Sequence, residues 1–253
     1  MTLNYTSDGF LGESLRLKQP RDGFRSGHDA VLLAAAAQPP QYGHIAELGS
    51  GAGVASLCFA ARRKDAQITG IEMNDEMVAL AQNNAEANDL GNRAHFKRGD
   101  ITAPFSELHL VANSFDEVIA NPPFYLEGQV PDMAHSGKAQ AHIGSEGTLD
   151  SWVKCACALT RAKGHVTLVH RADALAQVLT IMQKRLGDLR VLPVQPRSDK
   201  AATRILVRGR RDARAPVTLL PPLILQNDAG APSLRAEAIL RHGAALAFEE
   251  LGG

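Results

Sequence analysis

The chain has 253 residues, with 27 Lys+Arg against 27 Asp+Glu and a pI of about 7.1. That length suits one α/β domain with a sizeable core, while the neutral balance gives no overall basic signal for nucleic acid. The three cysteines, Cys58, Cys155 and Cys157, make no disulfide framework and the nine histidines fall at no metal-ligand spacing; with no leader-like start and no apolar run of about 18 residues, a cytoplasmic, metal-free protein without membrane contact is expected.

Residues 1–27 read as a short hairpin extension with turns at Ser7-Asp8-Gly9 and Arg21-Asp22-Gly23. An Ala/Leu-rich helix over 31–38 is stopped by Pro39-Pro40. His44–Leu48 reads as a short strand, followed by Gly49-Ser50-Gly51-Ala52-Gly53 and a helix from Val54 to about Ala61. Glycines at this spacing let the backbone turn sharply and approach a ligand at a helix N-terminus; a tight turn that holds nothing would look the same. The dinucleotide fingerprint would place its third glycine one residue later, where Val54 stands. Gly49, Ser50, Gly51 and Gly53 are the candidate ligand contacts of this loop.

A second strand, 67–71, ends at Glu72, about 20 residues beyond the loop, where an acid suits a ribose diol. Asn74 or Asp75 caps a helix that runs through Asn88. A third strand, Ala94–Arg98, ends in Gly99-Asp100. Taken singly, Glu72 and Asp100 read as solvated loop acids. In this order, each at a strand's carboxyl end, they line the edge where open α/β sheets bind ligands.

Phe115–Ala120 reads as a buried strand that delivers Asn121-Pro122-Pro123-Phe124. Each proline fixes φ and lacks an N–H, so the turn is stiff and its carbonyls are free to accept. With the Asn121 side-chain oxygen, they can take two hydrogen bonds from one planar NH₂ group. Phe124, or in its place Tyr125, offers a face on which a ring can stack. Asn121, Pro122, Pro123 and Phe124 are therefore the candidate catalytic residues: a clamp for an exocyclic amine or an amide.

Further on, 164–170 reads as a strand with Val166, Leu168 and Val169 as core, and 172–186 as a helix ended by Gly187. Strands over 189–192 and 204–208 follow, the last alternating Ile205 and Val207 against basic residues. The β–α alternation predicts a largely parallel sheet with helices on both faces. One domain is expected: the extension 1–27, a catalytic core 28–215 and a C-terminal tail 216–253. Arg197, Lys200, Arg204, Arg208, Arg210, Arg211 and Arg214 cluster, and Arg16, Lys18, Arg21 and Arg25 form a smaller group. Such blocks suit either phosphate contacts or a solvated strand edge.

Together, Glu-x-Gly-x-Gly-x-Gly and Asn-Pro-Pro-Phe resemble a class I S-adenosyl-L-methionine (SAM)-dependent methyltransferase. More narrowly, the chain is similar to the bacterial tRNA1(Val) adenine-37 N6-methyltransferase family. The narrower likeness rests on 15–20 and 25–33, on Ala134-His135-Ser136-Gly137 with Leu149-Asp150-Ser151-Trp152, and on 200–210 with 222–225. The resemblance implies a Rossmann-like, mostly parallel seven-stranded sheet whose final strand is antiparallel. It implies SAM held by the glycine loop, Glu72, Asp100 and Asn121, with the Asp100 carboxylate on the adenine amine. It also implies a tRNA substrate. Asp29 and the Ser26-Gly27 turn then line the methionine end of SAM, unless Asp29 is a plain helix-start acid. A protein glutamine N5-methyltransferase carries the same clamp but is expected to have a longer helical N-terminal domain. Ribosomal RNA or DNA amino methylation, and SAM binding by an RNA assembly factor without turnover, are also compatible with these residues.

Overall fold

The computed structural model describes residues 4–124 and 145–249. The chain opens with an antiparallel hairpin, β1 (Tyr5–Phe10) and β2 (Leu15–Pro20), before α1 (His28–Ala36). Alternation then sets in: β3 (His44–Leu48), α2 (Val54–Arg62), β4 (Gln67–Glu72), α3 (Asp75–Ala87), β5 (Ala94–Arg98) and β6 (Phe115–Ala120). After α4 (Ser145–Leu159) come β7 (Thr160–Arg171), α5 (Leu175–Gln183), β8 (Leu186–Gln195) and β9 (Arg204–Arg211). Two short strands, β10 (Thr218–Leu219) and β11 (Leu223–Ile224), and α6 (Leu234–His242) complete the described residues.

Seven strands in the order β8-β9-β7-β6-β3-β4-β5 form the main sheet, and β10 and β11 widen it by pairing with β8. Among them only β9 runs against the rest. This is the Rossmann-like class I methyltransferase arrangement, with the N-terminal hairpin standing apart as its own two-stranded sheet.

Consecutive strand residues serve opposite faces, which is why the strands are apolar throughout rather than alternating. Ile45, Ile119, Val169 and Leu206 join a core with α1, α2 and the hairpin. Their neighbours Ala46, Val118, Leu168 and Ile205 join a second core with α4 and α5. Helix α1 is buried from Ala30 to Ala36 because the sheet, α2 and residues beyond 236 enclose it. Its last carbonyls are tied: Arg62 donates to Ala34 O (2.7 Å) and Ala37 O (2.6 Å), the expected use of a cation at a helix C-terminus. Residues 218–249 supply Leu220, Leu223, Ile239, Leu246 and Phe248 to the same core.

Two asparagines hold the hairpin onto α3. Asn84 accepts from Lys18 N (2.8 Å) and donates to Lys18 O (2.9 Å); Asn88 does the same with Arg16 N (3.1 Å) and Arg16 O (3.0 Å). Asn84 also donates to Ala52 O (3.0 Å) in the glycine loop.

The structure corrects several expectations. Ser7-Asp8-Gly9 is not a turn: it lies inside β1, and Asp8 is spent on Arg25 and Gln19. The chain reverses at 11–14, where Leu11, Gly12 and Glu13 take positive φ. Helix α1 stops at Ala36, because Gln38 N turns away to donate to Glu117 (2.9 Å). Gly187 does not end a helix. Helix α5 stops at Gln183 and Gly187 lies within β8, where an added Cβ would sit 2.2 Å from Ala213 O. A close backbone approach, not a helix cap, demands glycine there.

Candidate active site

Strand β3 sits between β4 and β6, and the chain leaves it toward β4 and β5 on one side and toward β6 and β7 on the other. That reversal opens a crevice beyond the strands' carboxyl ends. Leu48 pairs in register with Ile71 and Ala120, and Glu72 with Arg98. Gly49, Glu72, Asp100 and Asn121 therefore follow one another along a single edge, with the glycine loop and the Asn-Pro-Pro-Phe turn flanking the crevice.

The loop's glycines are needed for different reasons. Gly49 and Gly53 have φ of 64° and 84° and are also crowded: a Cβ would meet the Trp152 ring at 2.4 Å and the Phe96 ring at 2.8 Å. Gly51 shares the positive φ, at 52°, but nothing lies within 4 Å of the same position, so its outer face is open. The Ser50 N–H donates to Ile71 O (3.1 Å), while the buried Ser50 Oγ has no partner. Glu72 crosses back to the loop: Oε2 accepts from Gly51 N (2.9 Å) and Oε1 from Asn74 N (2.9 Å). Each oxygen keeps a lone pair for a ligand. Asp100 accepts from Thr102 N (2.8 Å) and Thr102 Oγ1 (2.7 Å) through Oδ1 alone.

Beneath the loop lies a carboxyl that carries more than strand packing. Glu47 is buried and accepts from Ser56 N (2.8 Å) and from the Ser56 hydroxyl. Burial, reinforced by the charge on Glu72, pushes its pKa up to about 8. The first acid of the Glu-x-Gly-x-Gly-x-Gly pattern was the signal for it.

On the other side of the crevice, Asn121 and Phe124 are half-buried, Pro122 is buried and Pro123 exposed. Phe124 meets the His170 ring edge-on (4.9 Å, 70°) and lies under the Arg204 guanidinium (5.2 Å). Arg204 is held by Asp29 Oδ2 (2.8 Å) and Thr203 O (3.1 Å). The first turn of α1, the end of β7 and the start of β9 thus converge on the Phe124 ring. Asp29 is an acid in the first turn of α1, as one reading had it, and it is also the counter-ion of Arg204. Burial pushes the His170 pKa below the usual histidine value, so the ring is neutral at pH 7, and its Nδ1 has no partner. His170 belongs to no motif, and Arg204 stands out only as a member of the basic cluster and of the 200–210 stretch. Only their places, at the carboxyl end of β7 and at its β9 partner, mark them for this site. Tyr125 and Ala134-His135-Ser136-Gly137 lie outside the described residues.

The larger basic cluster does not form one surface. Arg208 is buried, between Glu117 (3.8 Å), Glu249 (3.2 Å) and His165 Nδ1 (3.2 Å). Burial, with the charges of Arg208, Arg210 and Arg190, pushes His165 down to about 3. Arg211 ties the end of α4 to the start of β7 by donating to Cys157 O (3.1 Å) and Thr160 O. Arg210 faces Asp188 at 3.8 Å. Since Arg204 pairs with Arg171 at the crevice end of β7 and Arg210 with His165 toward its other end, these later arginines lie away from the site. Of the two readings open for this cluster, neither phosphate contact nor a solvated edge fits the buried Arg208, while Arg210 and Arg211 remain on the strand's far end.

Among the described residues no three His, Cys, Asp or Glu side chains gather as metal ligands, and no helix is long and apolar enough to cross a membrane. The chain is 29% identical over 209 residues to a tRNA1(Val) (adenine(37)-N6)-methyltransferase from Actinobacillus succinogenes, covering 82% of this chain and 85% of that one. A protein of the same name from Porphyromonas gingivalis is 27% identical over 74% of this chain and 76% of its own length. A crystal structure described as a predicted O-methyltransferase from Agrobacterium tumefaciens superposes with a TM-score of 0.74 at 27% identity, covering 87% of this chain and 98% of that one. The methyltransferase small domain family matches residues 28–192, which span the glycine loop, Glu72, Asp100 and the Asn-Pro-Pro-Phe turn. The crevice thus has its chemistry, and the chain belongs to the methyltransferase small domain family, with S-adenosyl-L-methionine as its cofactor.

Proposed function

We propose that the protein transfers a methyl group to the exocyclic N6 of an adenine in tRNA, the anticodon-loop adenine 37 named for its relatives. The observation that carries this reading is the stiff Asn-Pro-Pro-Phe turn opposite the glycine loop at the sheet's switch point. An adenine amine is planar and carries two N–H donors. The Asn121 Oδ1 and the Pro122 carbonyl are two acceptors on a rigid turn, matched to that group and not to a hydroxyl with one donor.

The residues present fit the cofactor. The open face of Gly51, the unpartnered Ser50 Oγ, the spare lone pairs of Glu72 and the unpaired Oδ2 of Asp100 are what a nucleoside with a ribose diol and an amine would use. Glu72 would hold the ribose hydroxyls and Asp100 the adenine amine. SAM supplies an electrophilic methyl on a sulfonium. On the substrate side, acceptance of both N–H groups by Asn121 and Pro122 directs the nitrogen lone pair away from the ring. It also stabilises the positive charge that grows on that nitrogen. Phe124, backed by Arg204, supports the base once it leaves its neighbours, which costs less from a loop than from a duplex. No base on the protein is needed before transfer, since the extra proton can leave to water afterwards.

The test offers methyl-labelled SAM in parallel with unmodified tRNA, ribosomal RNA and a release factor. Label recovered as N6-methyladenosine from tRNA is the expected result. Label only in protein, only as 2′-O-methyl nucleoside, or in none of the three overturns it.

A further inference from the structure

The smaller basic group gains weight as the larger one loses it. Residues 21–25 form a loop between β2 and α1 whose base is fixed. The buried Gln19 amide accepts from Ser26 N (2.8 Å) and donates to Ser26 O (3.2 Å) and to Asp8 (2.8 Å). Arg25 donates twice to Asp8 (2.8 and 2.7 Å). From this braced base the tip presents Phe24, 73% exposed, with the exposed Arg21 three residues before it in the loop and the exposed Lys18 on the adjoining β2. Neither the Arg21 nor the Lys18 side chain has an acidic partner among the described residues, in contrast to Arg25, Arg204 and Arg208.

Place distinguishes Phe24 from other exposed apolar residues. Tyr42 is 78% exposed, but it precedes β3 at the far edge of the sheet, where no ligand crevice lies. Phe24 stands four residues before His28, the first residue of α1. The next residue, Asp29, holds Arg204 over Phe124, and the backbone of Lys18 is joined through Asn84 to Ala52 of the glycine loop. The loop thus adjoins both halves of the site. A solvent-facing ring with two cations that no ion pair holds, against the one exposed acid Asp22 in the loop, is what a single-stranded nucleic acid needs: a face for one unpaired base and charges for its phosphates.

We infer that loop 21–25, with Lys18, is the docking surface for the unpaired RNA segment next to the target nucleotide: Phe24 stacks on a neighbouring base while Arg21 and Lys18 pair with phosphates. This rests on the RNA reading above. Because Phe24 supports no core, its replacement leaves the fold intact.

The experiment compares full-length wild type with Phe24→Ala, Phe24→Leu, Phe24→Trp and the double change Lys18→Gln/Arg21→Gln. It uses unmodified tRNA as substrate and calorimetry for SAM. Phe24→Ala is expected to raise the RNA KM roughly 5- to 150-fold. Phe24→Leu, apolar but not planar, fails alike, while Phe24→Trp keeps near-normal values and SAM affinity is unchanged throughout. The double change lowers the slope of log affinity against log salt by about one to two units. An unchanged RNA KM in Phe24→Ala, or Leu serving as well as Trp, overturns the inference while leaving RNA methylation standing. Wild type that places no label in RNA overturns the RNA reading itself.

Discussion

Arg204 and Arg208 stand four residues apart on β9, about 13 Å along the strand, and they live in different media. Arg204 has a side chain 33% exposed, shares Asp29 and covers the Phe124 ring at the crevice. Arg208 is 4% exposed and faces Glu117, which is wholly buried. The same residue type on the same strand lies over the Phe124 ring at one end and inside the interior at the other. The cause is what covers the strand: Phe248 and Glu249 close over Arg208, while among the described residues nothing comparable closes over Arg204. A run of arginines along a strand is thus no guide to a nucleic-acid surface until the covering elements are known.

The sharpest way to test the contrast is Arg208→Met. It leaves Glu117 buried without its cation and is expected to cost about 3–5 kcal/mol in denaturant unfolding; adding Glu117→Leu should not recover it, since Gln38 N and Thr167 Oγ1 would then lose their acceptor. Where the variant is folded, its RNA salt dependence should match wild type; a stable variant with a flattened salt slope would put Arg208 back among phosphate contacts. At the crevice, Asn121→Ala should lower kcat about 10²–10³-fold with SAM affinity nearly intact, since it removes a contact that matters most in the transition state. Near-normal turnover would make Asn121 a structural residue. Glu72→Ala should weaken SAM binding by about 1.5–3 kcal/mol in calorimetry, with kcat at saturating SAM preserved; unchanged affinity would leave Glu72 as a brace for Gly51 and Asn74 alone. The smallest effect belongs to Arg204→Lys. Losing the flat guanidinium over Phe124 should lower kcat/KM about two- to fivefold without moving the unfolding midpoint. A destabilisation like that of Arg208→Met would erase the distinction between the two arginines.

Whatever depended on local chemistry was legible in the sequence. The glycine turn, the Asn74 cap with its bonds to Glu76 and Met77, and the strand that delivers Asn121 all announce themselves within a few residues. What depended on distant chain was not. Asp8 reads as a turn residue because its true partners, Arg25 and Gln19, lie across the hairpin. Gly187 reads as a helix stop because the backbone that crowds it comes from Ala213. The apparent alternation of 204–208 hides the fact that Leu206 is as buried as Ile205 and Val207. His170 shows its place only once β7 and β6 are aligned and its ring lies against Phe124.

The two asparagines of α3 have a geometric consequence. Four residues of helix rise about 6 Å, and two residues of strand advance about 6.6–6.8 Å. Side-chain amides four apart on a helix are therefore commensurate with alternate residues of an adjacent strand. Asn84 and Asn88 use that match to read the outward-facing backbone of β2 as a third strand would. A slip of one residue would break all four bonds at once and turn Arg16 and Lys18 inward in exchange for Leu15 and Leu17. A two-stranded ribbon, marginal by itself, thereby acquires a fixed register, and its β2 edge is occupied at Arg16 and Lys18 and no longer free to pair there with another chain.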